Sequence, residues 1–264
     1  MVEILFLGTG GPFSVGRRST PALLIETPDF RTLVEAGPVI MQQLNRTNIQ
    51  AAEIERLFVS HAHGDHALGF PMLALNRLGA SMPLHVYAGL DTIATLRMLY
   101  TLAFRGLRTH LFALRWHALS EEGPDETELV PGVTLRTVLV PHPPGVPTLA
   151  ARWDFAGGPS VTFATDTFAN ATTVELARDS DLLIHEACYS AVLEPDQDPP
   201  VNYHSTARQA GEIARRAGCP RLALVHLGSE IGEHPNALAE EARAGTDLQV
   251  IVPEDGERIH LGSG

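Results

Sequence analysis

The stretch Ile54-Glu55-Arg56-Leu57-Phe58-Val59-Ser60-His61-Ala62-His63-Gly64-Asp65-His66 decides how the rest of the chain is read. Its first six residues form an apolar, strand-like run. Four groups that can bind a metal then follow within six positions: His61, His63, Asp65 and His66. Neutral imidazole and carboxylate together suit divalent zinc, manganese or iron. A polar turn that happens to be rich in histidine is the plain alternative. If the strand continued through the motif, His61 and His63 would point the same way, because strand side chains alternate with period two. Gly64 suits a sharp turn at that point.

Working outward, three more groups of the same chemistry fall at the ends of predicted strands. His142 follows a run at 138–141, Asp166 follows 161–165 and His226 follows 222–225. A rigid sheet holds such positions while leaving them open to a substrate. Strands are expected at 4–7, 22–26, 32–35, 54–59, 84–87, 133–140, 148–155, 161–164, 182–184, 222–225 and 248–252. Helices are expected at 39–46, 72–78, 91–104, 173–178, 206–217 and 236–244. Thr206 and Gln209 are spaced as a capping box at the start of one of them. Residues 121–128 read as a charged surface loop. The two halves alternate strands and helices in the same way and no linker divides them. This is the pattern of one α/β domain spanning 1–264, built from two packed sheets with helices outside.

The 264 residues carry a formal charge of −12, with 44% hydrophobic and 19% charged residues. A chain of this length can bury roughly three-quarters of its unfolded surface, so it needs no disulfide staples. Cys188 and Cys219 form no CxxC pair, which gives no basis for a thiolate metal site. All 19 basic residues are arginine, which excludes a catalytic lysine. No apolar stretch reaches membrane-spanning length, and the N-terminus lacks signal-peptide features. A cytoplasmic location is therefore the default. The glycine-rich segment Gly8-Thr9-Gly10-Gly11-Pro12 lacks the residues of a nucleotide-binding loop.

On these motifs the chain resembles the metallo-β-lactamase-fold hydrolases. Within them it is most similar to the ribonuclease Z group and its arylsulfatase-like and phosphodiesterase relatives. The resemblance rests on Leu7-Gly8-Thr9-Gly10-Gly11-Pro12, on His61 to His66, and on His142. It continues through Thr165-Asp166-Thr167, His185-Glu186-Ala187, His204-Ser205-Thr206 and His226. It implies a four-layer αββα sandwich and two divalent ions, zinc first, with manganese or iron as alternatives. His61, His63 and His142 would hold one ion; Asp65, His66 and His226 would hold the other. Asp166 would bridge them. It also implies that Glu186 and His204 pair to protonate the leaving oxygen, with Asp65 orienting the attacking hydroxide. A homodimer is a further implication.

Transfer-RNA processing in that group is associated with a long arm between the third and fourth metal motifs. Here a strand pair fills the interval from His142 to Asp166, and His226 is followed by Leu227-Gly228-Ser229-Glu230, without the Arg-Tyr pair of that group. Tight tRNA binding also relies on many cationic phosphate contacts, and the chain is acidic. The expected reaction is therefore hydrolysis of a small phosphodiester or sulfate ester, with a small-molecule ester rather than nucleic acid as the expected partner. A lactonase, a tRNA 3′-processing endoribonuclease and a non-catalytic binding protein are the alternatives. Arg17 and Arg18 are candidates for an anionic group and Phe70 for pocket lining. Residues 98–112, with Arg105 and Arg108, have the composition of a pocket rim or dimer face.

Overall fold

The computed structural model describes residues 1–13, 17–105 and 113–262; Arg108 lies outside the described residues. Among these, the chain builds two seven-stranded sheets. The first begins with the antiparallel meander β1 (Val2–Gly8), β2 (Ala22–Thr27) and β3 (Phe30–Val34). It continues in parallel through β4 (Arg56–Phe58), β5 (Leu84–Gly89) and β6 (Leu114–Leu119). The second begins antiparallel, with β7 (Asp125–Val130), β8 (Val133–Val140), β9 (Thr148–Phe155) and β10 (Ser160–Ala164). It too turns parallel, through β11 (Leu182–Glu186), β12 (Arg221–Val225) and β13 (Gln249–Ile251). The last strand, β14 (Arg258–Leu261), crosses back to pair with β1.

Alternation along the strands creates four layers. In β1, Ile4 and Phe6 point between the sheets, where they meet Trp153, Phe163 and Ile184 in one apolar cluster. Leu5 and Leu7 point the other way, against Ile40 and Leu44 of α1 (Ile40–Arg46) and Phe70 of α3 (Phe70–Leu75). The single-turn α2 (Gly64–Ala67) lies between these, and α4 (Leu90–Ala103) completes the outer layer. On the second sheet, α5 (Ala171–Leu176), α6 (Ala207–Ala217) and α7 (Pro235–Arg243) do the same work over Leu183, Leu222 and Leu224. A strand apolar on both faces can be buried on both sides, and this is how the two sheets become the middle of an αββα sandwich.

Three strands were not foreseen: β6, β7 and β14. Most of β7 falls in the expected loop at 121–128. Asp125, Glu126 and Glu128 hid it, yet charge is what an edge strand carries to prevent further pairing. Glu126 lies opposite Arg136 in the register and accepts its hydrogen bond at 2.9 Å. Another difference affects the metal motif. The strand before it ends at Phe58, so the histidines stand on a loop and a short helix.

Trp153 fills the centre of the space between the sheets, fully buried and edge-on to Phe58 at 5.6 Å. Its indole nitrogen has no hydrogen-bond partner. Trp153→Ala is expected to cost about 3–5 kcal/mol in urea unfolding. Trp153→Phe should cost less than half of that, because it keeps most of the volume and removes an unpaired donor.

Candidate metal centre

Strand direction gathers the site. β8, β10, β11 and β12 all run the same way, so the residues that follow them emerge at one edge of the second sheet. Ligands in open α/β sheets bind outside the carboxyl ends of the strands. His142, Asp166 and His226 leave this edge, and His61 to His66 arrive from the end of β4 in the first sheet. The backbone is forced at these exits. Seven non-glycine residues have positive φ among the described residues, and Glu35, Asp166, Tyr203 and His226 are four of them. Such conformations cost on the order of 1–3 kcal/mol each and persist where surrounding structure holds them.

Two clusters result, one of His61, His63, His142 and Asp166, the other of Asp65, His66, Asp166 and His226. Within each, the ligand atoms lie within 4.8 Å of one another. Asp166 belongs to both. Its Oδ2 lies 3.7 Å from His61 Nε2 and 4.0 Å from His142 Nε2. Its Oδ1 lies 3.4 Å from His66 Nε2 and 3.2 Å from His226 Nε2. Asp65 Oδ2 lies 3.2 Å from His66 Nε2 and 3.3 Å from His226 Nε2. His142 Nε2 and His63 Nδ1 are 3.2 Å apart. A tetrahedral ion with bonds of about 2.1 Å sets its ligand atoms about 3.4 Å apart, so these spacings fit. The buried Nε2 atoms of His61 and His66 have no hydrogen-bond partner, as a nitrogen aimed at a cation would not. The residues fit divalent metal ions.

Electrostatics agree for the histidines of the first cluster. Burial pushes His61 well below its usual range and His142 down to about 4, leaving both neutral with a lone pair free. Burial opposes ionisation of Asp65, but the facing imidazoles of His226 and His66 outweigh it and hold the carboxyl low. A supporting layer orients the ligands. Ser60 Oγ meets His61 Nδ1 at 2.9 Å, and the fully buried Glu35 meets His66 Nδ1 at 3.4 Å. Sequence reasoning passed over both residues. The signal for Glu35 was a carboxylate closing an apolar strand run at 32–35.

Glu186 and His204 meet beside the second cluster. Glu186 is fully buried at the end of β11. Its Oε1 accepts from Thr167 N at 3.0 Å and His204 Nδ1 at 2.9 Å; its Oε2 accepts from Cys188 N at 3.0 Å and Ser205 N at 3.1 Å. Nδ1 is thereby committed as a donor, and Nε2 is left for the site. The His204 ring stacks on His226 at 5.5 Å and stands edge-on to His142 at 5.9 Å. Burial opposes its charge, but Glu186 outweighs burial and raises it to about 9. The capping box foreseen at Thr206 is present, with Gln209 N donating to Thr206 Oγ1 and Thr206 N to Gln209 Oε1, and it fixes the chain just after His204. His185 turns away, its Nδ1 on the Glu186 carbonyl at 2.8 Å.

Three expected substrate contacts are not brought to the site. Phe70 is fully buried in the core beneath α3, against Tyr100 and Trp116. Arg18 spends its guanidinium on Thr9 Oγ1 at 2.6 Å and on the carbonyls of Pro253 and Gly232. Arg17 is exposed beside it, on a cavity of about 350 Å³ also lined by Glu233, Glu254 and Asp255, which disfavours an anion. Arg18 instead anchors the glycine-rich loop, whose Gly11 N donates to Leu227 O behind His226.

Residues 31–227 match the family model of the β-lactamase superfamily domain, and the chain belongs to that superfamily. It is a ribonuclease Z-like hydrolase of the metallo-β-lactamase fold. Ribonuclease Z from Halorubrum lacusprofundi is 29% identical over 304 aligned positions, covering 98% of this chain and 97% of the relative. Human tRNase Z, short form, superposes with a TM-score of 0.80 at 21% identity, covering 98% of this chain and 99% of that one. A metallo-β-lactamase-fold protein from Bacillus subtilis superposes at 0.79 with 22% identity, covering 98% of both chains. Among the described residues, no helix is long and apolar enough to cross a membrane.

These relatives overturn the expectation of a small-ester substrate and of no nucleic acid partner. Proteins named ribonuclease Z align over nearly their whole length and the whole of this chain. Net charge is a sum over the entire surface and says little about the field at one edge of a sandwich, where divalent ions supply local positive charge.

Gly37 supports the centre from below, since a Cβ there would collide with the Asp65 carbonyl oxygen. Gly37→Ala is expected to displace Asp65 and lower the divalent metal bound by the folded protein, as read by elemental analysis.

Proposed function

We propose that the chain is a metal-dependent endoribonuclease of the ribonuclease Z type that cuts a phosphodiester in precursor tRNA. The observation that carries this reading is the pairing of Glu186 with His204 beside an Asp166-bridged cluster, in a chain whose relatives named ribonuclease Z match end to end. His61, His63, His142 and Asp166 would hold one ion, and Asp65, His66, Asp166 and His226 the other, with zinc best suited to these nitrogen and oxygen donors. Such a pair of ions lowers the pKa of water and neutralises phosphate oxygens.

The chain's own residues do the rest. Asp65 orients the attacking water and takes up its proton. Water oxygen bonds to phosphorus as the ribose oxygen leaves. His204 delivers the Nε2 proton to that oxygen, and Glu186 stabilises the charged imidazole and fixes its orientation. An aryl sulfate has a leaving group that needs this proton less, so the Glu186–His204 pair favours an alkoxide leaving group. No arm lies between His142 and Asp166, where β9 and β10 occupy the interval. RNA must then be held by the surface beside the site.

With metal-loaded protein, precursor tRNA should be cut and mature tRNA left intact; an uncut precursor would overturn the substrate assignment. Asp65→Ala should lower kcat by a factor of about a thousand or more. His204→Ala should lower kcat on precursor tRNA by about 10²–10⁴-fold. On bis(4-nitrophenyl) phosphate, whose leaving group needs no proton, the same variant should lose much less. Equal losses on both substrates would remove the proton-donor role.

A further inference from the structure

Two aromatic rings stand beside the metal centre without a role in its chemistry. The ring of Tyr203 lies 6.4 Å from that of His142, at 80° to it, and 6.2 Å from that of Phe168, at 42°. Both rings are half-buried, so each keeps surface open to solvent. Each lies within two residues of a site residue. Tyr203 immediately precedes His204, and Phe168 follows Asp166 by two positions.

Neither ring is free to wander. Tyr203 closes a short 3-10 turn, Pro199–Asn202, in which two prolines fix the backbone. Tyr203 N donates to Pro200 O at 3.2 Å and His204 N to Pro199 O at 3.0 Å. The Phe168 carbonyl accepts from Asn170 Nδ2 at 2.8 Å, and Asn170 caps α5. The backbone at Tyr203 is left-handed, with φ 60° and ψ 32°, a conformation that glycine or asparagine adopts at less cost. A bulky side chain held there is strained. The turn would form more readily without the ring, so the ring itself is what the position provides.

An aromatic face held rigidly beside a phosphodiester-cleaving centre matches one ligand chemistry. Unpaired nucleobases stack on such faces whatever their identity, and single-stranded ends are the part of an RNA whose bases can be splayed out to do so. We propose that Tyr203 and Phe168 form a stacking platform for an unpaired base next to the scissile phosphate, an inference that rests on the RNA-cleaving reading above. The platform is independent of phosphate charge, so it gives an acidic chain without an arm a grip on RNA that needs no basic patch.

The test uses precursor tRNA in which the nucleotide on one or the other side of the cut is abasic. For the wild type, one of the two abasic substrates should raise KM about tenfold with kcat changed less than twofold. Tyr203→Gly suits the left-handed turn and removes the ring, so it should fold; its KM should be the same for intact and abasic substrates. Tyr203→Phe should restore the discrimination. A wild type that treats both abasic substrates like the intact one overturns the platform, as does a Tyr203→Gly variant that still discriminates. If the wild type cuts no precursor tRNA, the functional reading fails by itself. Binding of a short single-stranded RNA, intact or abasic, by fluorescence anisotropy then decides the platform separately: weaker binding of the abasic strand to wild type but not to Tyr203→Gly supports it, and equal binding overturns it.

Discussion

The Asp166 carboxylate holds this molecule's chemistry together. One oxygen faces His61 and His142, the other faces His66 and His226, at separations of 3.2–4.0 Å. His142, His226 and Asp166 leave the second sheet, whereas His61 and His66 leave the first. A shared anion therefore works only if both sheets present their strand ends at the same level. The packing of Phe6 and Phe58 against Trp153 and Phe163 sets that level. Core packing and site geometry are one problem here, because interiors pack too densely for one sheet to slip without the other.

The centre is also expensive to assemble. Glu35, Asp166 and His226 adopt left-handed backbone without being glycine, and several imidazole nitrogens are buried without partners. Glu35 is a fully buried carboxylate whose burial works against its charge. Divalent cations bound among these groups would relieve much of that cost, because they would satisfy the orphaned nitrogens and the gathered carboxylates together. Glycines serve a different purpose at this edge. Gly37 and Gly11 are needed for clearance, one under the Asp65 carbonyl and one against the His226 ring.

The misreading of the substrate has a physical cause. Composition reports a charge of −12 for the whole chain, but that sum does not describe the field at the one edge where the histidine and aspartate clusters gather. The arginine pair at 17–18 misled in the opposite sense. Two adjacent cations on a glycine-rich loop suggest an anion site, yet Arg18 is consumed by carbonyls and by Thr9. Phe70 similarly belongs to the core. A side chain's chemistry is visible in sequence, but whether its polar atoms are already engaged is not.

What the sequence determined by itself was the candidate metal-binding groups, which the structure brings together, and most of the sandwich. Short-range patterns carry that information: four ligands within six positions, apolar runs ending in His142, Asp166 and His226, and the capping box at Thr206. It missed β6, β7 and β14, because short edge strands with charged and polar residues look like loops. Only the tertiary structure decided that Glu35 stands behind His66 and that Tyr203 stands beside His142 and Phe168. Each of these depends on contacts between segments far apart in the chain. Such contacts are fixed by sheet register and backbone twist, which no local pattern of residues encodes.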